Sequence, residues 1–154
     1  MRRSDTASRI IAAPRDVIYA ALVDPEALRT WLPPEGMTGE ILEFDPRPGG
    51  AFRMELRYPE AGHGKTTDNS DLVEAEFAEL VPGERVVQLV RFRSDDPDFA
   101  GTMRMVWDLE PMPQGTRVII LAEDVPPGIR AEDHAVGLRS SLENLDRYVT
   151  TNAA

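Results

Sequence analysis

Few side chains in this sequence are equipped for chemistry. The chain holds two histidines, His63 and His134, and no cysteine. Thiolate nucleophiles, disulfides and cysteine-ligated metals are therefore excluded. His63 stands between Gly62 and Gly64 in a polar stretch and reads as a solvated loop residue. His134 falls in the first turn of the last long helical stretch, ahead of Ser141. There an imidazole can serve as a polar handle or general base, or it can face water beside Glu132 and Asp133. Carboxylates recur as Glu74, Glu76 and Glu79 in one strand and as Asp95, Asp96 and Asp98 in one loop. The first set has the period of a solvated face. The second lacks the glycine and terminal glutamate of a calcium loop, so no metal is expected. Gly49-Gly50 leads into a strand rather than a helix N-terminus, and no serine sits in a nucleophile-elbow pattern. Phosphate-loop and elbow-hydrolase chemistry have no support.

The apolar candidates are more distinctive. Met103, Met105 and Trp107 alternate along one strand, and Met54 lies on a neighbouring one. Flexible, polarisable thioethers suit a cavity wall for a ligand of loose shape; the competing reading is plain core filling. Phe77 joins them from a third strand, Leu138 and Leu142 from the long helix, and Trp31 from a proline-rich corner. Trp31, with Met37, either forms a lip over such a cavity or anchors its own helix. Polar candidates for the same space are Asp71, His134 and Arg91. Arg91 and Arg93 share a face with Val87 and Leu89. On a concave face they would bind a carboxylate; on a convex one they are surface charges. That strand is apolar on both sides, which leaves the choice open.

The elements that must position these residues follow from periodicity. Ala7 to Ala12 reads as a first strand. Pro14 opens a short helix at its first position, with Val17, Ile18, Ala21 and Leu22 on its buried side. Asp24 caps a second short helix carrying Leu28 and Trp31, and Pro33-Pro34-Glu35-Gly36 ends it. From Gly39 the period becomes two: strands are expected at 41–44, 52–58, 71–80, 85–92, 102–109 and 117–123, joined mostly by hairpin-length turns. The stretch 59–69 is an exposed loop, and 94–100 an acidic one. Ala131, Ala135, Leu138, Leu142, Leu145 and Val149 then draw one apolar stripe along a helix spanning 129–149. The expected fold is α+β: a curved antiparallel sheet of six or seven strands around one long C-terminal helix, with two short helices after the first strand. A single domain over 1–154 is expected.

Composition narrows the partners. Among 154 residues, 17 Lys and Arg face 27 Asp and Glu, a net charge of −10. That sign repels phosphate backbones and anionic lipid, so nucleic acid is not an expected partner. No run approaches the length of a membrane span, and no signal peptide follows the N-terminal arginines; a cytoplasmic location is expected.

Several segments together resemble the heat-shock protein 90 ATPase activator-like family, a branch of the START-related helix-grip (SRPBCC) superfamily. They are Pro14 with Val17-Ile18-Tyr19, Asp24-Pro25-Glu26 with Leu28 and Trp31, Phe44-Asp45-Pro46-Arg47-Pro48-Gly49-Gly50 before Phe52, and Pro82-Gly83-Glu84-Arg85. Trp107-Asp108-Leu109-Glu110-Pro111, Gly115-Thr116-Arg117-Val118, and Gly137 with Ser141-Leu142 and Leu145 complete the set. The likeness runs over nearly the whole chain in the family's order. Leu138 stands where many relatives carry a tryptophan. The resemblance implies a helix-grip fold with a hollow between sheet and helix that, in many superfamily members, holds an apolar molecule. It does not imply the chaperone-activator role, which belongs to a relative with an additional N-terminal domain. The expected function is a binding protein for a hydrophobic or amphipathic small molecule, without cofactor. Its rivals are a cyclase- or aromatase-type enzyme using the same cavity, and an interaction module, co-chaperone-like or a homodimer.

Overall fold

The alternating stretches become seven strands of one antiparallel sheet in a computed structural model that describes residues 4–33, 37–57, 70–92 and 101–152. The elements run β1 (Ser4–Ile11), α1 (Arg15–Leu22), α2 (Pro25–Trp31), β2 (Thr38–Phe44), β3 (Ala51–Arg57), β4 (Ser70–Val81), β5 (Arg85–Phe92), β6 (Met103–Met112), β7 (Gly115–Glu123) and α3 (Ala131–Asn152). The spatial order β1-β7-β6-β5-β4-β3-β2 places the first strand against the last. The expected α+β helix-grip architecture is what forms: an open, curled sheet, two short helices and one long terminal helix. The pieces 59–69 and 94–100, with His63, Arg93, Asp95, Asp96 and Asp98, lie outside the described residues.

Register decides which residues share a face. Trp107 pairs with Val86 on one side and Ile120 on the other, all three buried. Met54 pairs with Val73, and Phe52 with Ala75. These residues line the concave face, where Phe77 stacks on Phe52 at 6.0 Å and meets Phe44 edge-on at 5.6 Å. The opposite face carries Arg85, Val87, Leu89 and Arg91 from β5. Val87 and Val106 pair there and are buried outside the main core cluster. Their flanks are Arg85 and Arg104, held by Asp108 and Glu123 at 2.7 Å each. Long arginine stems screen apolar surface well, which explains why β5 reads apolar on both sides.

The short helices start where their caps allow. Asp24 accepts the Glu26 N–H at 3.0 Å with Pro25 in the first turn, as the sequence suggests. Pro14 is a correction: it occupies the N-cap of α1 in extended conformation, not the first helical position. The corner between β1 and α1 is tied to β7. The buried Thr116 hydroxyl donates to the Ala13 carbonyl at 2.8 Å. Gly115 has φ +144°, and a Cβ there would collide with the Ile11 carbonyl oxygen. Only glycine tolerates both conditions.

Helix α3 packs along β1 and against α1 and α2. Leu138, Leu142, Leu145 and Val149 are buried as expected, but Ala131 and Ala135 are exposed. The stripe turns inward through His134 instead. Its Nδ1 lies 2.6 Å from Asp5 Oδ2. One end of the helix is thus fastened to β1 by that pair. Farther along, Arg9 donates its Nε–H to Asp146 at 2.6 Å. The Asn144 amide also donates to the Pro33 carbonyl at 3.3 Å, joining α3 to the end of α2.

Candidate functional site

The residues singled out from the sequence mostly converge. Trp31, Met54, Phe77, Met103, Trp107, Leu138 and Leu142 all belong to one buried cluster, with Met105 packed against it and only partly buried. They come from α2, β3, β4, β6 and α3, so the space between sheet and helix is where they meet. Two polar candidates do not join them in the way the sequence leaves open. Arg91 pairs in register with Glu74 on the convex face and is exposed, so it is an outer-surface charge. His134 is taken up by Asp5, with 12% and 14% of the two side chains exposed. Asp71 of β4 pairs in register with Leu56 of β3, and its side chain lies outside the described residues.

Trp31 settles into the anchor role rather than a lip. Its indole N–H donates to the Ala21 carbonyl at 2.9 Å, and it is 2% exposed. The ring meets Trp107 edge-to-face at 5.7 Å and 80°. Such pairs contribute about 0.5–1.5 kcal/mol beyond their buried area.

Trp107 differs from its neighbour in one respect. Its Nε1 is inaccessible to water and has no hydrogen-bond partner among the described residues. A buried donor left unpaired costs about 1–3 kcal/mol, so few are tolerated without cause. The register neighbours Val86 and Ile120 offer only apolar side chains.

A residue that the sequence reading passed over completes the picture. Gln88 pairs with Met105 on one side and Phe77 on the other, which puts it on the concave face in the middle of the sheet. It and Met105 are both partly accessible, although Val86, Val90, Phe77, Met103 and Trp107 around them are buried. The alternation Val86-Gln88-Val90 carried the signal. Asp5 was missed for a different reason: it precedes any apolar run that would announce a strand.

The crevices seen among the described residues lie elsewhere. One of about 190 Å³ is lined by Val17, Ala20, Ala21, Asp24, Ala27, Tyr148 and Val149, where α1, α2 and the end of α3 meet. A shallower groove on the outer surface runs past Arg15, Glu79, Arg85 and Asp108. Neither touches the converging set. No cluster of three metal-ligating side chains occurs among the described residues. Among those residues no helix is long and apolar enough to cross a membrane.

Comparison with known proteins agrees with this geometry. A Chromobacterium violaceum protein of known crystal structure is 35% identical, covers 95% of this chain and 96% of its own, and superposes with a TM-score of 0.82. A Nitrosomonas europaea protein is 24% identical over 96% of this chain and 94% of its own, with a TM-score of 0.74. An activator-like protein from Aeromonas hydrophila, solved in solution, is 16% identical over 98% and 94% of the two chains, with a TM-score of 0.77. The last two speak for the fold alone. No curated protein matches the chain. The profile described as "Activator of Hsp90 ATPase homolog 1-like protein" matches residues 12–150, and the chain belongs to that family.

Proposed function

We propose that this protein holds an apolar or amphipathic small molecule between the concave face of its sheet and α3, as a single cytoplasmic domain and without a cofactor. The observation that carries this reading is the pair Met105 and Gln88. Both keep accessible surface in the middle of the sheet, although their immediate neighbours on that face, Phe77, Val86, Val90, Met103 and Trp107, are buried. A face packed solid by its helix would bury them as well. The apolar residues that would line the bound molecule are Met54, Phe77, Met103, Trp107, Leu138 and Leu142, adaptable in the way small-molecule sites are. Trp31 supports it from behind.

Uptake of Nile red by the purified protein tests the reading. Micromolar binding with a blue-shifted emission is expected, weakened at least tenfold by Met105→Trp while the far-ultraviolet circular dichroism is unchanged. A protein that takes up no dye, or takes it up equally in that variant, contradicts it.

A second reading, catalysis at the β1 end of α3, rests on one observation. Asp5 at Nδ1 orients the His134 ring and leaves Nε2 as its other nitrogen, the arrangement a general base uses. For any turnover found, His134→Gln should abolish it; retention of the rate removes this reading.

A further inference from the structure

We infer that the molecule bound on the concave face presents a neutral hydrogen-bond acceptor, a ketone or other carbonyl oxygen, to Nε1 of Trp107. The inference rests on the binding reading above and narrows it to a ligand class. The indole N–H is buried, yet no acceptor in the described protein reaches it. The contrast with Trp31 is internal to the same aromatic pair: that indole, 5.7 Å away, is satisfied by the Ala21 carbonyl. Both tryptophans are thus equally buried, but only one has its donor used. Buried indole donors normally find partners.

The surroundings define what kind of acceptor fits. Across the strands from Trp107 are Val86 and Ile120, and along its own strand on the same face are Met105 and Leu109. None of these carries a charge. The arginine on this side of β1, Arg9, is already held by Asp146. A carboxylate at Trp107 would be buried without a counter-ion, which is costly. An amine brings a donor to a donor. A pure hydrocarbon leaves the indole as it stands. A neutral carbonyl oxygen satisfies the indole at no cost in charge. Access runs past the partly exposed side chains: Met105 is the next residue along the face, and Gln88 stands diagonally across on β5. Both are unbranched and flexible, so they can yield to an entering molecule.

A matched series of eleven-carbon probes tests this: undecane, 2-undecanone, undecylamine and undecanoate, each competing with Nile red. The chain has two tryptophans, so a ¹⁵N–¹H spectrum shows two indole signals, assigned with Trp31→Phe and Trp107→Phe. The ketone should bind about tenfold tighter than the hydrocarbon, the size of one well-made hydrogen bond. The Trp107 indole proton should move downfield on ketone binding and not on undecane binding. In Trp107→Phe the ketone's advantage over undecane, read as the ratio of the two affinities within that variant, should vanish. Equal binding of all four probes with an unmoved Trp107 signal overturns the inference and leaves the binding reading intact. Tighter binding of undecanoate than of ketone overturns it too. So does a ligand-free Trp107 signal that shifts in Gln88→Leu, because the donor would then already be capped from within. Dye that binds but is displaced by none of the probes overturns the inference alone, whereas a protein that takes up neither dye nor probe overturns both readings together.

Discussion

Two tryptophans of almost identical burial carry different messages at the level of single residues. Trp31 is a structural fastener, and its removal has a calculable cost. Trp31→Phe loses a buried N–H donor, leaves the Ala21 carbonyl short of a partner and opens space, so about 1–3 kcal/mol of stability should be lost in urea denaturation. A loss below half of that would argue that the bond is made equally well in the unfolded chain. The His134–Asp5 pair is the other test at this scale. It is largely screened from water and joins residues far apart in sequence. Asp5→Ala and His134→Ala should each cost about 1–2 kcal/mol, and the double variant should cost much less than their sum. Strict additivity would show that the two side chains do not support each other. The sequence disclosed His134 as a residue facing either way. It could not disclose Asp5, because pairing between residues 5 and 134 is a tertiary fact with no local pattern behind it.

Elements were more legible than their edges. Period-two alternation marked the strands at 52–58 and 102–109 most clearly, since a residue that changes face must change polarity when one side is covered. Strand β1 was the weakest signal: Asp5 and Arg9 point their charges to α3, so the alternation that marks a buried face is replaced by ion pairs. Strand β5 was ambiguous for the opposite reason, with Val87 buried on the convex face beneath paired arginines. Helix α3 showed its stripe clearly from Leu138 onward, whereas its first turn departs because a histidine, not an alanine, faces β1. The β1–β7 corner should be the most sensitive place in the fold. Gly115→Ala is expected to destabilise by at least about 1–3 kcal/mol, from backbone strain at positive φ and collision with Ile11. Thr116→Val, which keeps the volume but orphans the Ala13 carbonyl, should cost about 1–3 kcal/mol. Thermal denaturation distinguishes these from neutral surface changes. A Gly115→Ala protein as stable as the parent would mean the corner relaxes freely.

On the scale of the whole molecule, a curled sheet holds an apolar face around one helix that packs toward its β1 side. The family and fold follow from motifs spread along the chain and in order. Their meaning for ligand does not, because burial of methionines and aromatics is the same pattern whether a core is filled or a site is lined. The proposed site draws its support from accessibility at Met105 and Gln88, which only coordinates provide. The charge of −10 leaves that interior unaffected and keeps the outside unsuited to polyanions. A bound ligand should raise the melting temperature with its concentration, by linkage, and 2-undecanone at a hundred times its Kd should add about 2.7 kcal/mol. The most direct measurement is a set of intermolecular nuclear Overhauser effects from bound 2-undecanone to ¹³C-labelled methionine methyls. Cross-peaks to Met54, Met103 and Met105 are expected. Cross-peaks confined to Met37 and Met112, or none with ligand demonstrably bound, would place the molecule elsewhere and contradict a site beneath α3.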